Sequence, residues 1–256
     1  MKKRWLLWLV PVYLVGLVVF APAQLLTWFV PAQAGVELSA VQGSLWQGQA
    51  NVSYQTPRQQ LQFQQVGWNL TPSTLLTGKV VLALEIPAVN TVSGNADVEL
   101  SFAGALRVNG QFGGNLQQTI SEYNIPALLT TDGRWDLALD NYELADIANG
   151  RWCDALDADV TSRSTAVRIQ REWIELGDFV TQLSCSANSE IIATMTPNNR
   201  LGLEFTTTLG GNQQQPQVRI QGQLRPTTQT PRQVADVLIF LGEPNANGAY
   251  PFNFTL

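Results

Sequence analysis

The chain has 256 residues, 45% hydrophobic and 14% charged, with a net charge of −5 and an isoelectric point near 4.8. That length allows one large domain or two small ones, with a substantial buried core. The absence of histidine and the presence of only two cysteines remove Ser-His-Asp and Cys-His catalysis, histidine bases and four-thiolate zinc sites, and the acidic balance argues against a nucleic-acid partner.

In chain order the first element is a lipid-like one. Lys2, Lys3 and Arg4 precede an apolar run from Trp5 to Val30, in which Gln24 and Thr27 are the strongly polar members. About 20 apolar residues suffice to span a bilayer. The basic cluster lies before the run, so the positive-inside rule predicts a cytoplasmic tip (1–4), a transmembrane helix (5–30) and an exported domain (35–256). Trp5, Trp8 and Trp28 then fall near the two interfaces, and Pro22 is a candidate helix end. The rival reading is a cleaved signal peptide, with small-x-small sites at Ala21-Pro22-Ala23 and Ala32-Gln33-Ala34. Either way the part beyond about residue 35 is exported. It carries a net −8, with Lys79 as its one lysine, so its wet surface relies on Gln, Asn, Ser and Thr.

From Gly35 onward the pattern is that of strands. Leu61–Gln64, Val98–Phe102, Trp135–Asp140, Leu201–Phe205 and Val218–Gln221 alternate apolar and polar residues, which buries one face and wets the other. Further strands are predicted at Ser44–Gln55, Lys79–Ile86, Ala105–Phe112, Ala155–Thr161, Trp173–Leu176, Phe179–Cys185, Glu190–Thr196 and Tyr250–Leu256. Turn signals separate them at Thr56-Pro57, Ser93-Gly94-Asn95, Asn109-Gly110, Gly113-Gly114-Asn115, Asp132-Gly133, Pro197-Asn198-Asn199 and Gly210-Gly211-Asn212. Three short helical pieces interrupt: a turn at Thr71–Leu76, a helix at Tyr142–Asn149 stopped by Gly150, and a helix at Thr230–Leu241. The last has Thr230 as N-cap, Pro231 at its first position and Gly242 as C-cap. The expected fold is all-β: a large curved antiparallel sheet or partly open barrel with few short helices, preceded by one membrane helix.

The search for chemistry finds little. Asp154, Asp157 and Asp159 cluster, but lack the glycine and terminal glutamate of a calcium loop. Asp132, Asp136 and Asp140 recur every four residues across a proposed turn and strand. Gly110–Gly114 lacks the lysine and following helix of a phosphate loop. No catalytic, cofactor or metal-ligating set is predicted. Trp46, Trp68, Trp135, Trp152 and Trp173 lie in or beside strands; they are either plain core or part of an apolar trough for an acyl chain or a partner's strand. Cys153 and Cys185, 32 positions apart, are either two buried thiols or a bridge. In an oxidising compartment the bridge is expected, and its loop would contribute about 3–4 kcal/mol in the chain-entropy account.

Three groups of residues carry a family resemblance. They are Gly43-Ser44-Leu45-Trp46-Gln47-Gly48; Trp68 with Pro72 through Gly78; and the late set Gly242, Gly248 and Tyr250. Their order resembles the protein N family of the bacterial type II secretion system. The resemblance implies an inner-membrane protein with a periplasmic domain, accessory to export of folded proteins and not catalytic, whose cysteine pair corresponds to Cys153 and Cys185. It also implies partners among the other secretion components, such as the inner-membrane platform and the secretin, together with membrane lipid. The segment from Gly43 to Gly78 also looks like the start of AsmA-like envelope proteins, which implies a lipid-handling groove as the alternative.

Overall fold

The computed structural model describes residues 13, 16–17, 19–29, 35–55, 60–123, 130–212, 215–238 and 242–255. Its strands are β1 (Val36–Gly43), β2 (Gln47–Gln55), β3 (Gln60–Leu70), β4 (Lys79–Ile86), β5 (Val92–Ser101), β6 (Leu106–Asn115) and β7 (Thr131–Leu144). They continue with β8 (Ala155–Ile169), β9 (Glu172–Cys185), β10 (Ile191–Met195), β11 (Leu203–Asn212), β12 (Gln215–Leu224) and β13 (Tyr250–Thr255). All thirteen form one antiparallel sheet in sequence order. β1 and β13 do not pair, so the sheet is open rather than closed into a barrel.

The register explains the alternation in the sequence. Residues opposite one another share a face, and one row crosses every strand: Gly43, Gly48, Trp68, Leu84, Ala96, Gly110, Leu139, Ala158, Leu183, Ala193, Thr207, Ile220 and Phe254. One position along each strand lies a polar row on the other face: Glu85, Asn95, Gln111, Ala138, Asp159, Gln182, Thr194, Thr206, Gln221 and Asn253. Neutral amides and hydroxyls dominate that wet row, as the scarcity of lysine requires.

The compact core occupies only one corner. Val167, Ile174, Leu176, Phe179, Met195, Leu201 and Val234 are buried together, with Ile169, Leu203 and Phe205 packed on them. Val234 comes from helix α3 (Arg232–Val237), which follows β12 and caps that corner of the sheet. Over β4–β6 the inward residues Leu82, Leu84, Val98 and Val108 are only half-buried. Cys153 is the bulkiest wholly buried side chain among the described residues.

Several expectations change. Ser44–Gln55 is not one strand: Ser44–Trp46 is a tight turn between β1 and β2. Ser93-Gly94-Asn95, Asn109-Gly110 and Asp132-Gly133 lie inside β5, β6 and β7. At Gly94 and Gly110 the missing side chain admits the neighbouring backbone, because a Cβ would strike the carbonyl oxygens of Gln111 and Asn95. Tyr142–Asn149 is not a helix; β7 runs to Leu144, and only Ile147–Asn149 makes a 3₁₀ turn, closed by left-handed Gly150. Trp173–Leu176 and Phe179–Cys185 are one strand, irregular near Gly177. The late helix is shorter than expected, with Pro231 rather than Thr230 at its N-cap and Leu238 rather than Gly242 at its C-cap. Thr230 instead donates to Arg200 O at 2.9 Å. Leu241 lies outside the described residues. An unforeseen helix, α2 (Leu116–Glu122), is capped by Asn115, whose side chain accepts from Gln118 N at 3.0 Å.

Lys2, Lys3, Arg4 and much of the 5–30 run also lie outside the described residues. Among the described residues no helix is long and apolar enough to cross a membrane. Phe20 N donates to Gly16 O at 2.9 Å, but Pro22 is extended and bridges to Ser44. A 3₁₀ turn (Ala23–Leu25) and a single helical turn, α1 (Leu26–Phe29), follow.

Candidate functional site

In a sequential meander alternate connections fall at the same end of the sheet. The 44–46, 71–78, 102–105, 145–154 and 186–190 connections therefore share one end, with the end of β11 at Asn212 and the start of β12 at Gln215. Backbone hydrogen bonds join most of these tips into a rim.

The rim begins where the N-terminal segment meets the first hairpin. Leu45 N donates to Ala21 O at 2.9 Å, and Ala21 and Ala23 are buried. Ser44 N donates to Gln47 O at 2.8 Å, and Gln47 N returns a bond to Ser44 Oγ at 3.2 Å. Gly43 (φ 96°) supplies the left-handed backbone this turn demands. Trp46 O accepts from Leu70 N at 2.6 Å, and the Trp68 indole donates to Leu45 O at 3.3 Å. The Trp68 ring lies where a Gly48 side chain would be, so the glycine and tryptophan of the motif require each other.

The next tip is a 3₁₀ turn, Pro72–Thr77, opened by Pro72 and closed by Gly78 at φ 77°. Phe102 N donates to Gly78 O at 2.9 Å, and Ile147 N to Gly104 O at 3.0 Å. Trp152 N donates to Ser189 O at 3.3 Å, while its indole donates to Gly211 O at 2.8 Å. The Cys153–Cys185 disulfide ties the 145–154 connection to the end of β9. Asp154 fixes the same connection: its carboxylate accepts from Ala145 N at 2.7 Å and from Arg151 at 2.6 Å. The Ala145 amide, and then Arg151, hold this carboxyl below the ordinary value of 3.8.

Seven of the motif residues, Gly43, Leu45, Trp46, Gly48, Trp68, Pro72 and Gly78, thus meet at this end. Gly242, Gly248 and Tyr250 do not. They lie at the opposite end, where Gly248 N donates to Asn245 O at 2.8 Å and Tyr250 opens the edge strand β13.

The tryptophans do not form one trough. Trp68 and Trp135 stand on the apolar face, and the Trp135 indole donates to Thr119 Oγ1 at 2.8 Å. Trp46 and Trp152 belong to the rim, and Trp173 is on the polar face with Arg168 stacked 5.9 Å from its ring centre. A concavity of about 980 Å³ crosses β1–β5, with Trp68, Leu84, Glu85 and Asp97 among its walls.

Lys79 is half of an ion pair, donating to Glu99 at 2.6 Å and holding that carboxyl below its usual range; Arg107 and Glu143 continue the row at 2.8 Å. Asp136 pairs with Arg163 at 3.1 Å. Asp157 and Asp159 sit on β8, apart from the Asp154 connection. Among the described residues no three Cys, Asp or Glu side chains gather as a metal site.

Sequence reasoning missed the tips themselves. Leu76 and Ile147 lie in short connections without strand alternation, and Phe102, which the alternation of Val98–Phe102 places in a half-buried strand, falls just past the end of β5 at Ser101. At the rim Leu76, Phe102 and Ile147 are 92%, 70% and 47% exposed.

Fold and rim together define an open, single-sheet β protein with one apolar face and one hydrogen-bonded end. The family model described as "Type II secretion system (T2SS), protein N" matches residues 34–253, so the chain belongs to that family. A protein of Vibrio cholerae serotype O1 named "Type II secretion system protein N" is 24% identical over 246 residues, covering 94% of this chain and 93% of its own length. An Aeromonas hydrophila protein of the same name is 28% identical over 256 residues, with the same coverages. No solved structure matches.

Proposed function

We propose that this protein is an accessory inner-membrane component of a bacterial type II secretion apparatus, acting in assembly or stabilisation rather than by catalysis. The observation that carries this reading is the family match from residue 34 to 253, which takes in the sheet, the rim and the disulfide. The topology that fits is a cytoplasmic tip with Lys2, Lys3 and Arg4, one anchor within 5–30, and a periplasmic domain over 35–256. A disulfide suits that oxidising compartment. The partners are other secretion components, the inner-membrane platform and the secretin among them, and inner-membrane lipid. The open edges at β1 and β13 favour contact with such partners, since each presents unpaired backbone groups able to accept a strand.

One observation favours a second reading, an AsmA-like lipid carrier: on the apolar face over β4–β6, Leu82, Leu84, Val98 and Val108 are only half-buried. Deletion of the gene in a host with this secretion system separates the two. The expected result is periplasmic retention of the secreted substrates, restored by the gene in trans. Normal export together with altered envelope lipids would sink the first reading in favour of the second.

A further inference from the structure

The rim carries exposed apolar side chains on its outer surface. Leu76, Phe102 and Ile147 point away from three tips that backbone hydrogen bonds hold in line. The line continues to Phe20, 82% exposed and next to Ala21, whose carbonyl is bonded to the first tip. Connections 44–46, 71–78 and 102–105 contain no charged residue, whereas 145–154, which holds Ile147, carries Asp146 and the paired Arg151 and Asp154, and 186–190 carries Glu190. The opposite end is more charged: Trp173 there lies beside Arg171 and Glu172 with Arg168 over its ring, and the 196–202 and 225–249 connections carry Arg200, Arg225, Arg232, Asp236 and Glu243, although the 87–91 connection with exposed Val89 is uncharged. The stretch of rim from 44 to 105, uncharged in its tips and studded with isolated bulky apolar side chains, is poorly suited to water and well suited to a bilayer interface.

We infer that this end of the sheet rests on the lipid bilayer, with Leu76, Phe102 and Ile147 dipping into the headgroup region. The partner is lipid because the rim is continuous with the apolar N-terminal run, so whatever holds that run is within reach of the tips. The inference rests on the anchor proposed above. Burial of a large apolar side chain contributes favourably in proportion to its area, so three tips orient a tethered domain even where none would bind alone. The sheet then stands upright on the membrane, with its apolar face open sideways.

The test uses the full-length chain in vesicles of phosphatidylethanolamine and phosphatidylglycerol. The native cysteines are bridged, so one added cysteine accepts a nitroxide label. Leu76→Cys, Phe102→Cys and Ile147→Cys are compared with Val89→Cys, an exposed apolar site at the opposite end. The expected ratio of oxygen to nickel-chelate accessibility is several-fold higher at the three rim positions than at 89. Equal, water-like ratios at all four would overturn the inference. So would labels that are wet in pure lipid but shielded in native membranes carrying the apparatus, which would reassign the rim to a protein. A carbonate wash tests the anchor separately: wet labels on a chain that resists washing sink the rim contact alone, and immersed labels on a chain that washes off sink the anchor alone.

Discussion

At the scale of single residues, this chain uses glycine to bring backbones together. Gly48 is the sharpest case, because a Cβ there would fall on the Gln42 carbonyl oxygen and on the Trp68 ring. The carbonyl cannot swing aside without breaking the first hairpin. Gly48→Ala is therefore expected to cost about 1–3 kcal/mol, as overpacked sites do, read as a lower urea midpoint in tryptophan fluorescence. An unchanged midpoint would mean that the turn relaxes freely. The string Gly43–Gly48 was legible as a motif, but not what its glycines do. Asn109-Gly110 carries a standard hairpin signal yet sits mid-strand, since a glycine serves a close approach as well as a turn. Only the pairing partner tells the two uses apart.

Elements separate into those that hold the fold and those that face outward. Phe179 lies in the corner under α3, so Phe179→Ala is expected to cost about 3–5 kcal/mol. Phe102→Ala removes the same ring from an exposed tip, and its effect on the unfolding midpoint is expected to stay within about 0.5 kcal/mol. A large loss from Phe102→Ala would reveal a packing role for the rim. β4 was legible to the residue, because a short apolar, β-branched-rich run is punctuated by Gly78 before it and Pro87 after it. Helix α2 was missed, since Gly113-Gly114-Asn115 reads as a turn while its asparagine is a cap. Tyr142–Asn149 was misread because Gly150 follows it like a helix stop, whereas Tyr142 pairs with Val108 and Leu156 inside β7 and its hydroxyl donates to Trp152 O at 2.7 Å.

Over the whole molecule, stability is uneven. The corner built from β8–β11 and α3 has a packed interior, while β1 and β13 each have one bare edge. Amide exchange is expected to be slowest in β8–β10 and fastest in β1 and β13, with the disulfide slowing the neighbouring ends of β8 and β9. Uniform protection across the sheet would contradict this and indicate one cooperative unit. The fold class was readable because alternation is a local property. An open sheet was one of the two architectures expected; the choice between it and a partly open barrel was not readable, since whether the last strand meets the first depends on bulges and twist summed over the sheet. The rim was invisible for a similar reason, since it exists only once distant tips share an end.

The strand order carries a consequence for how such a protein can change. Each strand bonds only to its neighbours in the chain, so adding or removing one hairpin leaves every other register intact. Width becomes an adjustable dimension, in steps of about 9–10 Å for two strands. Descendants of one ancestor can then be tailored to gaps of different breadth. The end that joins the N-terminal segment and the capped corner stay as they were, and the middle acts as a spacer cut to measure.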